Sequence, residues 1–120
     1  MSYYFGTMAA VPTANKAAYL EHCRAAWPLL RKYGALRLFE IWGTSIPDGE
    51  VTDMKRAVQA KPDETVVMSW IEWPDRATGE AAMAQMQTDP DAAVLADMPL
   101  DGKRMIFGGF EPLFDSAQEG

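Results

Sequence analysis

Glu40 is the residue whose setting most invites chemistry. It lies in the strand-like run Ala35–Trp42, where a period of two puts Leu36, Leu38, Glu40 and Trp42 on one face. A carboxyl held among apolar neighbours has its pKa raised by desolvation, and can then act as a base or hold a cationic or hydroxyl group. The plainer alternatives are a structural ion pair with Arg56 or Arg104, or a side chain turned to solvent. Arg56, Lys61, Lys103 and Arg104 could together make an anion site for a carboxylate or phosphate. Against that, 17 acidic residues offer them ordinary partners. Trp42, Trp70 and Trp73 could line a pocket for a planar ligand, or pack a core or a dimer seam. The pocket candidates are thus Glu40, Trp42, Arg56, Trp70 and Arg104, and no catalytic residue is identified.

Several chemistries lack their residues. His22 and Cys23 are the one histidine and the one cysteine. Neighbours on a helix do not face each other, so no zinc set exists. His22 reads as a partly exposed helix histidine. No glycine-rich phosphate loop precedes a helix and no Gly-x-Ser-x-Gly elbow occurs, so no cofactor is expected. The net charge of -6 disfavours nucleic acid and anionic membrane surfaces. The aromatics do not interleave with the basic residues as a single-strand platform would need. No window approaches the ~20 apolar residues that span a bilayer. The N-terminus has neither the basic start nor the long apolar run of a signal peptide. With a single cysteine these features point to the cytoplasm.

The elements that must position these residues are legible. The most strongly written stretch is Arg56 to Arg76. Within it Lys61-Pro62-Asp63 is a turn, Glu64 to Trp73 a strand with bulky residues on both faces, Pro74 a stop and Asp75 a helix cap. Such a strand is expected to be covered on both sides. Upstream, Tyr3 to Val11 reads as a strand in which Gly6 marks a bulge or a close backbone approach. Thr13 or Asn15 can cap a helix from about Ala14 to Tyr33, with Tyr19, Cys23, Ala26, Trp27 and Leu30 on one face. Pro28 predicts a kink or break near Trp27, and Gly34 a left-handed stop. Gly43 to Met54 is a long polar loop, and Arg56 to Ala60 a short extended segment. Asp75 to Thr88 is the second long helix, carrying Gly79 at a cost of ~1 kcal/mol relative to alanine. Asp89-Pro90-Asp91 breaks it, Ala92 to Ala96 adds a helical turn, and Lys103 to Phe110 is the last strand, loosened by Gly108-Gly109. Residues 1–115 form one domain, and 116–120 a flexible tail.

The order strand, helix, strand, strand, helix, strand is the ferredoxin-like split arrangement. It is an α+β fold with an antiparallel sheet and both helices on one face. A second copy is the economical cover for the other face, so a homodimer is expected.

Two long motifs carry a resemblance. Ala57-Val58-Gln59-Ala60-Lys61, Asp63-Glu64-Thr65-Val66-Val67 and Ser69-Trp70-Ile71 form the first; Asp97-Met98-Pro99, Asp101-Gly102-Lys103-Arg104-Met105-Ile106 and Gly108-Gly109-Phe110 form the second. With Pro47-Asp48-Gly49 they resemble the YbaA-like family of small bacterial proteins, over nearly the whole chain. Pro28, Trp42 and the segment Tyr4-Phe5-Gly6-Thr7 depart from its pattern. The resemblance implies a domain of unknown function and a dimeric α/β barrel, two ferredoxin-like units closing their sheets around a shared interior. Relatives by that fold include cofactor-free monooxygenases, isomerases, haem-degrading enzymes and ligand binders. The expectation is a homodimer holding a small molecule in the barrel interior. Two alternatives stand beside it: a cofactor-independent enzyme acting on an aromatic or acidic metabolite, and a protein or RNA interaction module.

Overall fold

The computed structural model of the chain describes residues 1–118. Four strands, β1 (Tyr3–Pro12), β2 (Arg37–Trp42), β3 (Glu64–Trp73) and β4 (Ile106–Phe110), form one sheet in the order β2-β3-β1-β4. Every neighbouring pair is antiparallel. The helices are α1 (Lys16–Lys32), α2 (Met54–Ala57), α3 (Arg76–Met86) and α4 (Ala93–Ala96). This is the α+β arrangement that the element order predicts, with the long helices α1 and α3 packed against one face.

Alternation along the strands divides the sheet. Val67, Ser69, Ile71 and Trp73 of β3 point toward the long helices, beside Leu38 and Glu40 of β2. Trp73 is fully buried and packs with Ala26, Leu30, Ala35 and Ala82. Gly79 makes this possible: a Cβ there would lie 3.0 Å from both Trp73 Cδ1 and Tyr3 Cδ2. The glycine that weakens α3 by propensity is what lets the helix close on the core.

The opposite face is covered over only part of its area. A smaller cluster of Ala10, Val58 and Val66, joined by Met8, Ile46 and Ala60, shows the β2–β3 connection folding across it. The remainder stays open and presents Tyr4, Phe39, Ile41, Met68, Trp70, Ile106 and Phe110. Phe110 is 59% exposed and Ile106 44%. The cover expected on both faces of β3 is therefore present at Val66 and absent at Trp70. β1 pairs with β3 without a skipped residue, so Gly6 is no bulge. It is a close approach, since a Cβ there would meet the Phe110 ring at 3.2 Å.

Four local expectations are corrected. Pro28 does not break α1, which runs as one helix through it. Ala26 and Leu30 on either side are both buried, and that packing holds the helix together against the proline. Neither expected cap acts: Thr13 bonds the Thr65 hydroxyl at 2.7 Å, and Asn15 reaches away to the Pro99 carbonyl. The segment from Arg56 is helical at its start rather than extended, because the Asp53 side chain accepts from the Arg56 N–H and caps α2. The last strand begins at Ile106, not Lys103, since Asp101 caps a 3-10 turn over Gly102–Arg104. In the expected tail, Ser116–Gln118 forms a further 3-10 turn, and residues 119–120 lie outside the described part.

Candidate functional site

Beneath α1 and α3 lies a cavity of about 280 Å³. Its apolar wall includes Phe5, Ala26, Leu30, Leu38 and Ile71, with four methionines, Met83, Met86, Met98 and Met105. Polar groups converge in one place: Glu40 from β2, Ser69 from β3, Thr7 from β1, and Tyr19, His22 and Cys23 from α1. The helical spacing of Tyr19 and Cys23 puts both on the face turned to the sheet. The sheet register puts Glu40 directly opposite Ser69, and Ser69 opposite Thr7.

The Tyr19 hydroxyl donates to Glu40 Oε1 at 2.7 Å. The Cys23 thiol and the Ser69 hydroxyl lie close by at the cavity wall and favour the charged form of this carboxyl. Ser69 is itself hydrogen-bonded to Thr7. Desolvation nonetheless dominates, and burial pushes the Glu40 carboxyl above its ordinary value against the influence of these three neighbours. The same burial, reinforced by the Glu40 charge, pushes the Cys23 thiol up to about 12 and the Tyr19 hydroxyl higher still. The raised value keeps the Cys23 thiol protonated and disfavours a nucleophilic role. Burial lowers the His22 pKa, with Asp97 opposing, which favours a neutral imidazole. None of the ion pairs among the described residues includes Glu40.

The five sequence candidates do not converge. Glu40 lies at the cavity. Trp42 sits farther along the same face, its ring 6.5 Å from Tyr19 and 5.3 Å from the Lys16 ammonium. Trp70 lies on the open face, packed on Phe39 at 4.8 Å. Arg56 is engaged in the β2–β3 loop, bonded to Asp53 and to the carbonyls of Gly49 and Val51. Arg104 grips both Glu64 oxygens at 2.7 Å. Neither arginine pairs with Glu40, and each is engaged by carboxylates of its own. Among the described residues no metal-binding group of three His, Cys, Asp or Glu occurs.

Tyr19, Cys23, Ser69, Thr7 and the four methionines were not singled out as site residues. The available signal was the shared helix face of Tyr19 and Cys23. A second was the apolar sequence Leu95, Met98, Leu100, Met105, which has no strand partner yet must bury against something. The Pro99 carbonyl is tied to α1 by Asn15 Nδ2 at 3.0 Å, which holds this segment at the cavity.

Fold and site define a ferredoxin-like α+β protein with a polar cluster set in an apolar cavity. The chain belongs to the family described as "Protein of unknown function (DUF1428)", whose model matches residues 2–102. It is 47% identical over 116 residues to the uncharacterized protein YbaA of Escherichia coli K12, covering 96% of this chain and 99% of that one. The YbaA of Shigella flexneri matches to the same extent. Among solved structures, a dimeric ferredoxin-like protein from an uncultured marine organism superposes with a TM-score of 0.55 at 14% identity, over 91% of both chains. No helix among the described residues is long and apolar enough to cross a membrane.

Proposed function

We propose that the protein is a homodimer that binds a small, largely apolar molecule in the cavity over Glu40. One observation carries this reading: a desolvated carboxyl, held by Tyr19 and without an ion-pair partner, faces an apolar cavity of about 280 Å³. A carboxyl in such a place costs stability, whereas a ligand offering it a donor recovers part of that cost. The volume is near the lower limit for ligand pockets, so the ligand is small. The helix-side orientation of Glu40 favours this cavity over the space between two paired sheets.

The dimer reading rests on the open sheet face, where Tyr4, Met8, Trp70, Ile106 and Phe110 line a hollow of about 720 Å³. A second copy laid sheet to sheet would bury these side chains and close an α/β barrel. The marine ferredoxin-like protein, described as dimeric, supports the same assembly. Native mass spectrometry of gently purified protein tests both halves. A dimer mass with a small adduct is the expected result, and an adduct lost in Glu40→Gln ties it to the cavity. A bare monomer would overturn the reading.

The raised Glu40 pKa also favours a second reading, a cofactor-independent enzyme in which Glu40 takes a proton from the bound molecule. Turnover across a panel of aromatic metabolites, abolished by Glu40→Gln, would select it over simple binding.

A further inference from the structure

We propose that the cavity over Glu40 takes a small apolar amine, whose ammonium pairs with the Glu40 carboxylate. This rests on the ligand-binding reading above and names the class of ligand. Three observations converge on it.

The cavity wall contains no lysine or arginine, and no ion pair among the described residues reaches Glu40. The desolvation of the carboxylate is already incurred on folding. A cation entering the cavity brings its own desolvation cost and recovers the attraction that the protein leaves unused.

The hydrogen-bond count leaves room for one more donor. An ionised carboxylate offers about four acceptor positions. Tyr19 takes one of them, at 2.7 Å. A charged N–H donor on a free position makes a bond roughly twice as strong as a neutral hydroxyl would. The His22 ring and the Thr7 hydroxyl, also at the cavity wall, add further acceptors to its lining.

The wall fits an aromatic or branched apolar body. An engineered cavity of about 150 Å³ holds one benzene ring. The 280 Å³ available here takes one ring with a short arm to Glu40. Four methionine side chains can adapt to its outline and make sulfur–aromatic contacts, and Phe5 and Tyr19 are at the wall as well. A carboxylate ligand meets the opposite conditions, a like charge and no basic group on the wall. The net charge of -6 further favours cations at the surface.

The test is calorimetric titration of the wild-type protein with three probes of one shape: phenethylamine, 2-phenylethanol and 3-phenylpropionate. The amine is expected to bind about tenfold or more tighter than the alcohol, and the carboxylate not to bind. In Glu40→Gln the amine should fall to the affinity of the alcohol. An alcohol or carboxylate that binds as well as the amine would overturn the amine class and leave the ligand reading standing. A co-purified adduct that phenethylamine does not displace would do the same. No adduct and no binding of any probe would remove the ligand reading itself. The comparison of probes uses only wild-type protein, so it does not depend on a variant folding.

Discussion

Tyr19 on the first long helix and Glu40 on the second strand are joined by a 2.7 Å hydrogen bond across the helix–sheet boundary. That bond fixes the carboxyl in the cavity, and burial there, which outweighs the bond, sets the direction in which stability should depend on pH. Burial holds the Glu40 pKa above its ordinary value, so the native protein keeps this proton more tightly than the unfolded chain does. The contribution of Glu40 to stability therefore declines as pH rises from the unfolded carboxyl value through the raised folded one. Glu40→Gln should have a Tm at neutral pH at least equal to that of wild type, with the difference closing on acidification. A Tm well below wild type at neutral pH, in thermal melts across pH 4 to 8, would contradict it.

The Arg104–Glu64 pair behaves in the opposite sense. The two hydrogen bonds from Arg104 lead the causes that hold the Glu64 carboxyl at about 2. Stability from this group is complete above the unfolded value of 4.5 and is lost as pH falls toward 2. Arg104 also bonds the Gln59 carbonyl, tying the approach to β4 to the start of β3. Arg104→Met should lower Tm at pH 7 and flatten the acid limb of the stability profile. Adding Glu64→Gln to it should recover part of the loss. Equal Tm in the single and double variants would show that Glu64 without Arg104 carries no burial penalty, against this expectation.

Gly79→Ala separates helix propensity from packing. Propensity alone predicts a gain of ~1 kcal/mol. The added methyl would press on Trp73 and Tyr3 at 3.0 Å, and overpacking of a tight core costs ~1–3 kcal/mol. The net expectation is a loss of up to ~2 kcal/mol by urea denaturation. A stabilised variant would mean that α3 can shift off the sheet without penalty.

The open sheet face gives the dimer prediction. Trp70 lies at its centre, packed on Phe39 and opposite Gly6. Trp70→Glu puts a charge into the proposed seam while leaving the helix-side core untouched. Light scattering should show the mass halve relative to wild type, with the fold retained by circular dichroism. A variant that remains dimeric would place the interface elsewhere.

Much of this architecture could be read from the chain because strand and helix periods are local. The alternation in Glu64–Trp73 separated its two faces, and Leu38, Glu40 and Trp42 were grouped on one side of their strand. Which side meets the helices is set by chain connectivity, so the same alternation could not show that Glu40 and Trp70 lie on opposite faces. The Asp53 cap was hidden in a polar loop, where an aspartate reads equally as turn or cap. Pro28 misled because the cost of an internal proline is local, while the burial of Ala26 and Leu30 that offsets it is tertiary. The cavity was the least legible feature. Its wall draws on Met98, Leu100 and Met105 from a segment that reads as a turn, brought over α1 by one side-chain bond from Asn15 to Pro99.

Methionine methyl NMR tests the central claim most directly, because the eight methionines report on separate places. Met83, Met86, Met98 and Met105 line the cavity over Glu40, whereas Met8 and Met68 line the open sheet face. With phenethylamine or 2-phenylethanol added to the wild-type protein, the four cavity methyls should shift in a saturable way while Met8 and Met68 stay fixed. Shifts confined to Met8 and Met68, or no saturable shift at any methyl, would contradict a ligand site over Glu40.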